Sequence, residues 1–297
     1  MKHECLAELT QVRKRFGKVV ALDGLDLQIR TGELFALLGQ NGAGKTTAIS
    51  LLLGLQQPDS GRALLFGRSP FQIEARRQIG VMMQEAALVS ELRVREQIGL
   101  VASYYPHPMS PATAMQLTHT EALADRPYGK LSGGQKRQVQ FALAICGRPK
   151  LLFLDEPTVG LDLQSRELMW STLRRMISEG ASIVLTTHYL EEAEALADRV
   201  AVLAKGRLIA SGTMHEMRAL VVRKQISCSS SLSVEQVRTW KQVQSVRRDR
   251  KGLQITAGDA EAVVRQLLRE DEDLQDLEIH RAGLAQIFTE LTQESVQ

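Results

Sequence analysis

Leu25, Leu27 and Ile29 alternate with polar residues, the period of two that marks a strand with one buried face, and the run ends at the Thr31-Gly32 turn. The next stretch, 34–38, is apolar throughout, which predicts a strand covered on both sides. A helix begins inside a glycine-rich loop and runs to about Leu53, and Pro58-Asp59-Ser60-Gly61 is a strong turn signal after it. Strand-like runs recur at 63–66 and 79–83. Short strands alternating with helical patterns predict a parallel or mixed sheet covered by helices, an α/β architecture.

Between about 92 and 131 the strand period stops, and prolines 106, 108 and 111 break a mostly helical pattern. A helical subdomain, about residues 90–147, is expected inside the sheet domain. Helix resumes at Ser132 with Val139, Leu143 and Cys146 on one face, and Gly147 and Pro149 stop it. Runs 151–154 and 183–186 predict two more buried strands. Between them Met169, Leu173, Met176 and Ile177 recur at helical spacing, closed by Gly180. After Gly212 the pattern changes again. Short strands at 226–230, 244–247, 253–256 and 277–280 and helices at 260–268 and 284–291 predict a separate small α+β domain, so that 1–215 and 216–297 are the expected units.

Composition narrows the class. In 297 residues no window approaches the roughly 18 consecutive apolar residues that span a bilayer, and Met1-Lys2-His3-Glu4 opens no apolar signal region. Cys5, Cys146 and Cys228 lie far apart, without neighbours at metal-ligand spacing, and fit a reducing cytosol. The net charge of +3 is unevenly spread, basic over 218–251 and acidic over 259–278. That basic stretch is either a solvated face or a patch for membrane headgroups or nucleic acid.

The candidate chemistry starts at Gly39-Gln40-Asn41-Gly42-Ala43-Gly44-Lys45-Thr46, with Thr47 beside it, which fits G-x-x-x-x-G-K-[ST] between a buried strand and a helix. Glycines let backbone N–H groups turn toward phosphates, the helix N-terminus adds a favourable dipole, Lys45 supplies a compact cation, and Thr46 offers its hydroxyl to Mg²⁺. A second strand ends in Asp155-Glu156. Asp155 is placed to organise Mg²⁺ through its water shell, and Glu156 to orient and deprotonate an attacking water. These two motifs alone define a nucleotide triphosphatase.

Leu131-Ser132-Gly133-Gly134-Gln135, followed by Lys136-Arg137 on a helix, narrows the class further, because here the chain resembles the ABC ATPases, whose signature is this pentapeptide. The resemblance covers about residues 5–220. It implies a P-loop fold with an inserted helical subdomain, ATP and Mg²⁺ as cofactors, and a head-to-tail dimer of two copies, each ATP lying between one Lys45 loop and the partner's Ser132 segment. It further implies roles for Gln84 as the Q-loop glutamine that senses Mg²⁺ or water, for Asp162 of Gly160-Leu161-Asp162 at the dimer interface, for His188 as the switch histidine, and for Phe16 as the aromatic stacked on adenine. The expected setting is the inner face of the cell membrane, beneath a separate membrane-spanning permease, with no nucleic acid as partner.

The spacing from Gln84 to Leu131 leaves no room for the coiled coils of chromosome-associated members, and a single ATPase domain is unlike the ribosome-associated ones. The segment around 186–193 and the tail 277–292 are similar to drug-export and polysaccharide-export ATPase subunits, although Ala285 and Gln286 stand where acidic residues are usual, Arg93 where a small hydroxyl residue is usual, and Phe16 where tyrosine is usual. A non-transport ATPase, acting as a nucleic-acid-associated or regulatory switch, is the alternative.

Overall fold

The computed structural model describes residues 4–84, 86–220, 224–249 and 252–281, which fall into two units divided after Thr213. The first unit begins β1 (Cys5–Phe16), β2 (Val19–Arg30), β3 (Leu34–Leu38), α1 (Lys45–Leu52), β4 (Ser60–Leu65), α2 (Ile73–Arg76) and β5 (Ile79–Met82). Three helices follow, α3 (Val94–Ala102), α4 (Pro111–Thr118) and α5 (Gly133–Ile145). The unit then runs β6 (Leu151–Asp155), α6 (Leu163–Ser178), β7 (Ser182–Thr187), α7 (Leu190–Leu196), β8 (Arg199–Ala204) and β9 (Arg207–Thr213).

Strands β5, β6, β7, β3 and β8 are parallel neighbours in that order, and β9 closes one edge antiparallel to β8. A separate antiparallel sheet runs β2-β1-β4. The apolar runs are explained by the two layers that sandwich the central sheet. Phe35, Leu37, Leu151, Phe153 and Val184 share one core with the antiparallel sheet and α1. Leu34, Leu152, Leu154, Ile183 and Leu185 share another with α5 and α6. Adjacent side chains of a strand point to opposite faces, so a strand buried on both sides needs no polar position.

The helices α3, α4 and α5 bury a core of their own around Val94, Ile98, Met115, Tyr128, Val139, Leu143 and Cys146. Arg93, the unusual residue before α3, caps it through its backbone, its N–H donating to Glu96 Oε2 at 2.9 Å. Gly80 locks α5 to the sheet. A Cβ there would meet the Ala144 carbonyl oxygen at 2.0 Å, so β5 and α5 approach at a distance that only glycine permits.

No element was expected over 190–213, where the structure has α7, β8 and β9. This alanine-rich stretch satisfies the periods of helix and strand alike, and pairing with β3 makes 199–204 a strand.

The second unit consists of α8 (Met214–Leu220), β10 (Lys224–Ser229), α9 (Val234–Arg238), β11 (Val243–Asp249), β12 (Gly252–Ala257), α10 (Ala260–Glu270) and β13 (Gln275–Arg281). Its antiparallel sheet runs β11-β12-β10-β13, over a core that includes Ile226, Trp240, Leu253, Ile255, Val263 and Leu267. Within the basic stretch, Arg248 donates to the carbonyls of Ser230 (3.0 Å) and Leu232 (2.6 Å), so part of that charge serves the fold. The helix expected at 284–291 lies outside the described residues, as does the tail 282–297. Among the described residues no helix is long and apolar enough to cross a membrane.

Candidate functional site

The C-terminal tips of β3, β6 and β7 converge, and ligands of open α/β sheets bind at such tips. Beyond β3 the loop 39–44 is threaded between β2 and the end of β8. Gly44 has φ +106°, and a Cβ on it would meet the Ala21 carbonyl oxygen at 2.6 Å. Gly39 is crowded in the same way, its Cβ position lying 2.7 Å from the Leu203 carbonyl oxygen. Any side chain at either position would push the loop outward.

Lys45 is buried at 6% exposure, and its Nζ donates to the carbonyls of Gly39 (2.7 Å) and Gln40 (3.3 Å). Burial lowers its pKa, while Glu156 and Asp155 raise it. The ammonium is thus drawn back over the loop with two of its three donors on main-chain oxygens. A cavity of about 430 Å³ opens here, lined by loop residues Asn41, Gly42, Ala43, Gly44, Lys45, Thr46 and Thr47, by Val19 and Ala21 of β2, and by Gln84 and Glu156.

Asp155, at the end of β6, is 2% exposed. Thr46 Oγ1 donates to its Oδ2 at 3.3 Å, and Thr186 Oγ1 donates to its Oδ1. Glu156 follows with φ +49°, the left-handed region that a side chain disfavours. Its N–H is held by the Thr186 carbonyl (3.0 Å) and hydroxyl (3.2 Å). This turn aims the Glu156 carboxylate into the cavity, where Oε1 lies 3.1 Å from His188 Nδ1. His188 is in turn packed against the Tyr189 ring, with centroids 4.1 Å apart. Thr186 has no counterpart in the sequence expectations. Two threonines closing a buried strand whose centre, 183–185, is apolar were the signal for it.

The structure brings together Lys45, Thr46, Thr47, Gln84, Asp155, Glu156 and His188. It keeps Ser132, Gly133, Gly134, Gln135, Asp162 and Phe16 apart from this cavity. Ser132 caps α5, accepting from Gln135 N at 3.3 Å while Gln135 Oε1 accepts from Ser132 N at 3.1 Å. Ser132 and Gly133 are exposed, and neither they, Gly134 nor Gln135 lines the cavity. Asp162 caps α6 by accepting from Ser165 N at 2.8 Å, a bond that lowers its pKa. Phe16 is 46% exposed at the end of β1, does not line the cavity, and has Lys14 Nζ 5.6 Å from its ring centroid. The cavity wall is formed by Val19 and Ala21 instead.

On α7 lies a buried carboxylate that the sequence did not single out. Glu192 is 1% exposed, accepts from Trp170 Nε1 at 3.3 Å through Oε1, and has no partner for Oε2 among the described residues. Burial raises its pKa, opposed by the nearby Thr187 hydroxyl, the Trp170 hydrogen bond, the nearby Thr158 hydroxyl and the charge of Arg166. A carboxyl whose pKa rises on folding costs stability once it ionises, so its stabilising state is lost as pH climbs from the ordinary glutamate range through the folded-state value. Glu192→Gln is therefore expected to raise Tm by a few degrees at pH 7, with the gain shrinking toward pH 4. Thermal melts of both proteins across that range decide it, and a lower Tm at pH 7 would mean that the ionised pairings dominate.

Residues 22–159 match the family model described as ABC transporter. The chain is 40% identical over 228 residues to the Nod factor export ATP-binding protein I of Burkholderia orbicola (strain AU 1054), covering 74% of each chain. A solved structure described as the ATP binding subunit of an ABC transporter has a TM-score of 0.67 at 28% identity, over 72% of this chain and 92% of that chain. Another, cbiO1 from Clostridium perfringens, described as part of the ABC transporter complex cbiONQ, has a TM-score of 0.64 at 30% identity, over 73% and 91%.

Proposed function

The chain belongs to the ABC transporter ATP-binding subunits and is an ATPase of that family, and from this premise we propose that it powers export through a separate membrane-spanning subunit by ATP-driven pairing of two copies. The carrying observation is the division of the site. The cavity holds the phosphate loop, Gln84 and Glu156, whereas the exposed, glycine-rich N-terminus of α5 stands away from it. Two anion-binding devices in one chain serve one nucleotide only when a second copy supplies the other.

Lys45 and the N–H groups of the loop and of α1 hold the phosphates. Thr46, which lines the cavity, and Asp155 bring hard oxygen donors within 3.3 Å of each other, the donor set that Mg²⁺ takes, and Gln84 lines the same cavity. Mg²⁺ bound there would neutralise charge on the phosphate oxygens. Glu156 accepts the proton of the attacking water, and His188, at 3.1 Å, fixes its carboxylate and reaches toward the γ-phosphate position. Asp162 faces the second copy. Phe16, which pairs with the cavity-lining Val19 across the β1–β2 hairpin, stacks on adenine. Export is favoured by the naming of the relatives as export ATP-binding proteins, and attachment to the inner membrane face follows from the permease.

Purification tests this reading. Glu156→Gln carrying a tag, extracted from membranes with ATP and Mg²⁺, is expected to bring two copies of itself together with a membrane-spanning protein. Adding Gly134→Asp should abolish the pairing, because a carboxylate at the N-terminus of α5 repels phosphate. A Cβ at Gly134 comes no nearer than 3.5 Å to the Gly160 carbonyl oxygen, so the fold accommodates it. A soluble monomer that carries nucleic acid would sink the transporter reading.

A further inference from the structure

Arg137 lies on α5, five residues beyond Ser132, with 7% of its surface exposed. Its Nη1 donates to the carbonyls of Met83 (2.8 Å) and Gln84 (3.2 Å) and to Gln140 Oε1 (3.0 Å). Its Nη2 donates to the carbonyls of Asp155 (2.9 Å) and Glu156. This buried cation takes four main-chain carbonyls, two just beyond β5 and two at the end of β6, and so ties both strand ends to α5. A planar fork spans two strand ends at once, whereas an ammonium is a point donor.

The contacts fall on the two residues of the cavity whose positions matter most. Glu156 holds an unfavourable positive φ, with Thr186 on its N–H and Arg137 on its carbonyl. Gln84 is joined to Arg137 through its carbonyl at 3.2 Å and lines the cavity. The far end of α5 is pinned where Gly80 meets Ala144. Displacement of the Ser132 end therefore moves the guanidinium, and with it both backbone segments.

We propose that Arg137 is a positioning residue that couples what docks at the Ser132 end of α5 to the placement of Glu156 and Gln84 at the phosphate loop. The inference rests on the roles of Ser132 and Glu156 proposed above. Gln140 orients the fork, because its Oε1 accepts from Arg137 while its Nε2 donates to the Tyr128 hydroxyl at 3.0 Å. Without the guanidinium, Glu156 is free to leave the left-handed region, and its carboxylate leaves the cavity.

The test uses the full chain. Arg137→Lys keeps the charge but loses the fork. Its kcat for ATP is expected to fall at least about tenfold while KM and the Kd for ATP stay within about threefold, the split that marks lost positioning rather than lost binding. Ser132→Ala combined with Arg137→Lys should be no slower than the slower single variant, since both act on one linkage. Equal losses in kcat and ATP affinity, additive effects in the double variant, or a kcat within about twofold of the parent would each overturn the proposal. If Arg137→Lys does not fold, Gln140→Ala gives the answer, with an expected fall in kcat of about two- to fivefold at unchanged KM, and an unchanged kcat overturns it. Failure of the underlying reading shows separately, as parental turnover in Glu156→Gln.

Discussion

Glu156→Gln is expected to reduce ATP turnover by roughly 10²- to 10⁴-fold, the usual contribution of a positioned general base, while leaving ATP affinity within about threefold of the parent. The amide is nearly isosteric with the carboxylate and can keep the 3.1 Å contact to His188 Nδ1, but it cannot take a proton from water. The backbone that aims this side chain, through Thr186 on its N–H and Arg137 on its carbonyl, is untouched by the change. Bound nucleotide should therefore accumulate as ATP, and with it the paired form. Phosphate release measured beside equilibrium ATP binding decides the matter. Parental turnover would falsify the assignment of the base.

Lys45→Ala produces the opposite split. Charge-assisted hydrogen bonds contribute about 1.5–3 kcal/mol each, so losing one to the phosphates should weaken ATP binding by roughly 10- to 150-fold. The fold should survive, since the carbonyls of Gly39 and Gln40 that the ammonium occupies lie beside an open cavity where water replaces it. Titration with ATP under non-hydrolysing conditions, with Tm as the control, is the measurement. Undiminished affinity with an intact fold would remove the phosphate-loop reading. Glu156→Gln thus separates catalysis from binding, and Lys45→Ala tests binding.

Much of the first unit was legible because burial on two faces leaves a plain trace. Runs 34–38 and 151–154 are short and apolar, the first leading directly into the loop 39–44 and the second into Asp155. The helix carrying Met169, Leu173 and Met176 was equally clear from its spacing. The stretch 190–213 was not, because alanine-rich segments satisfy both periods until a neighbouring strand selects one.

The phosphate loop and Ser132–Gln135 were legible in local sequence because each is a short glycine-bearing segment, and Asp155-Glu156 and His188 because each is a polar end of a buried strand. Arg137 and Glu192 became visible as parts of the site only in three dimensions. Arg137 acts on carbonyls beyond β5 and at the end of β6 and Glu192 on Trp170 of α6, all remote in sequence, and the packing of the helices on the sheet brings them together. Tertiary structure also decided that Val19 and Ala21 line the cavity and Phe16 does not, because which residues of a β-hairpin reach a site depends on how the two sheets pack, and no local pattern encodes that.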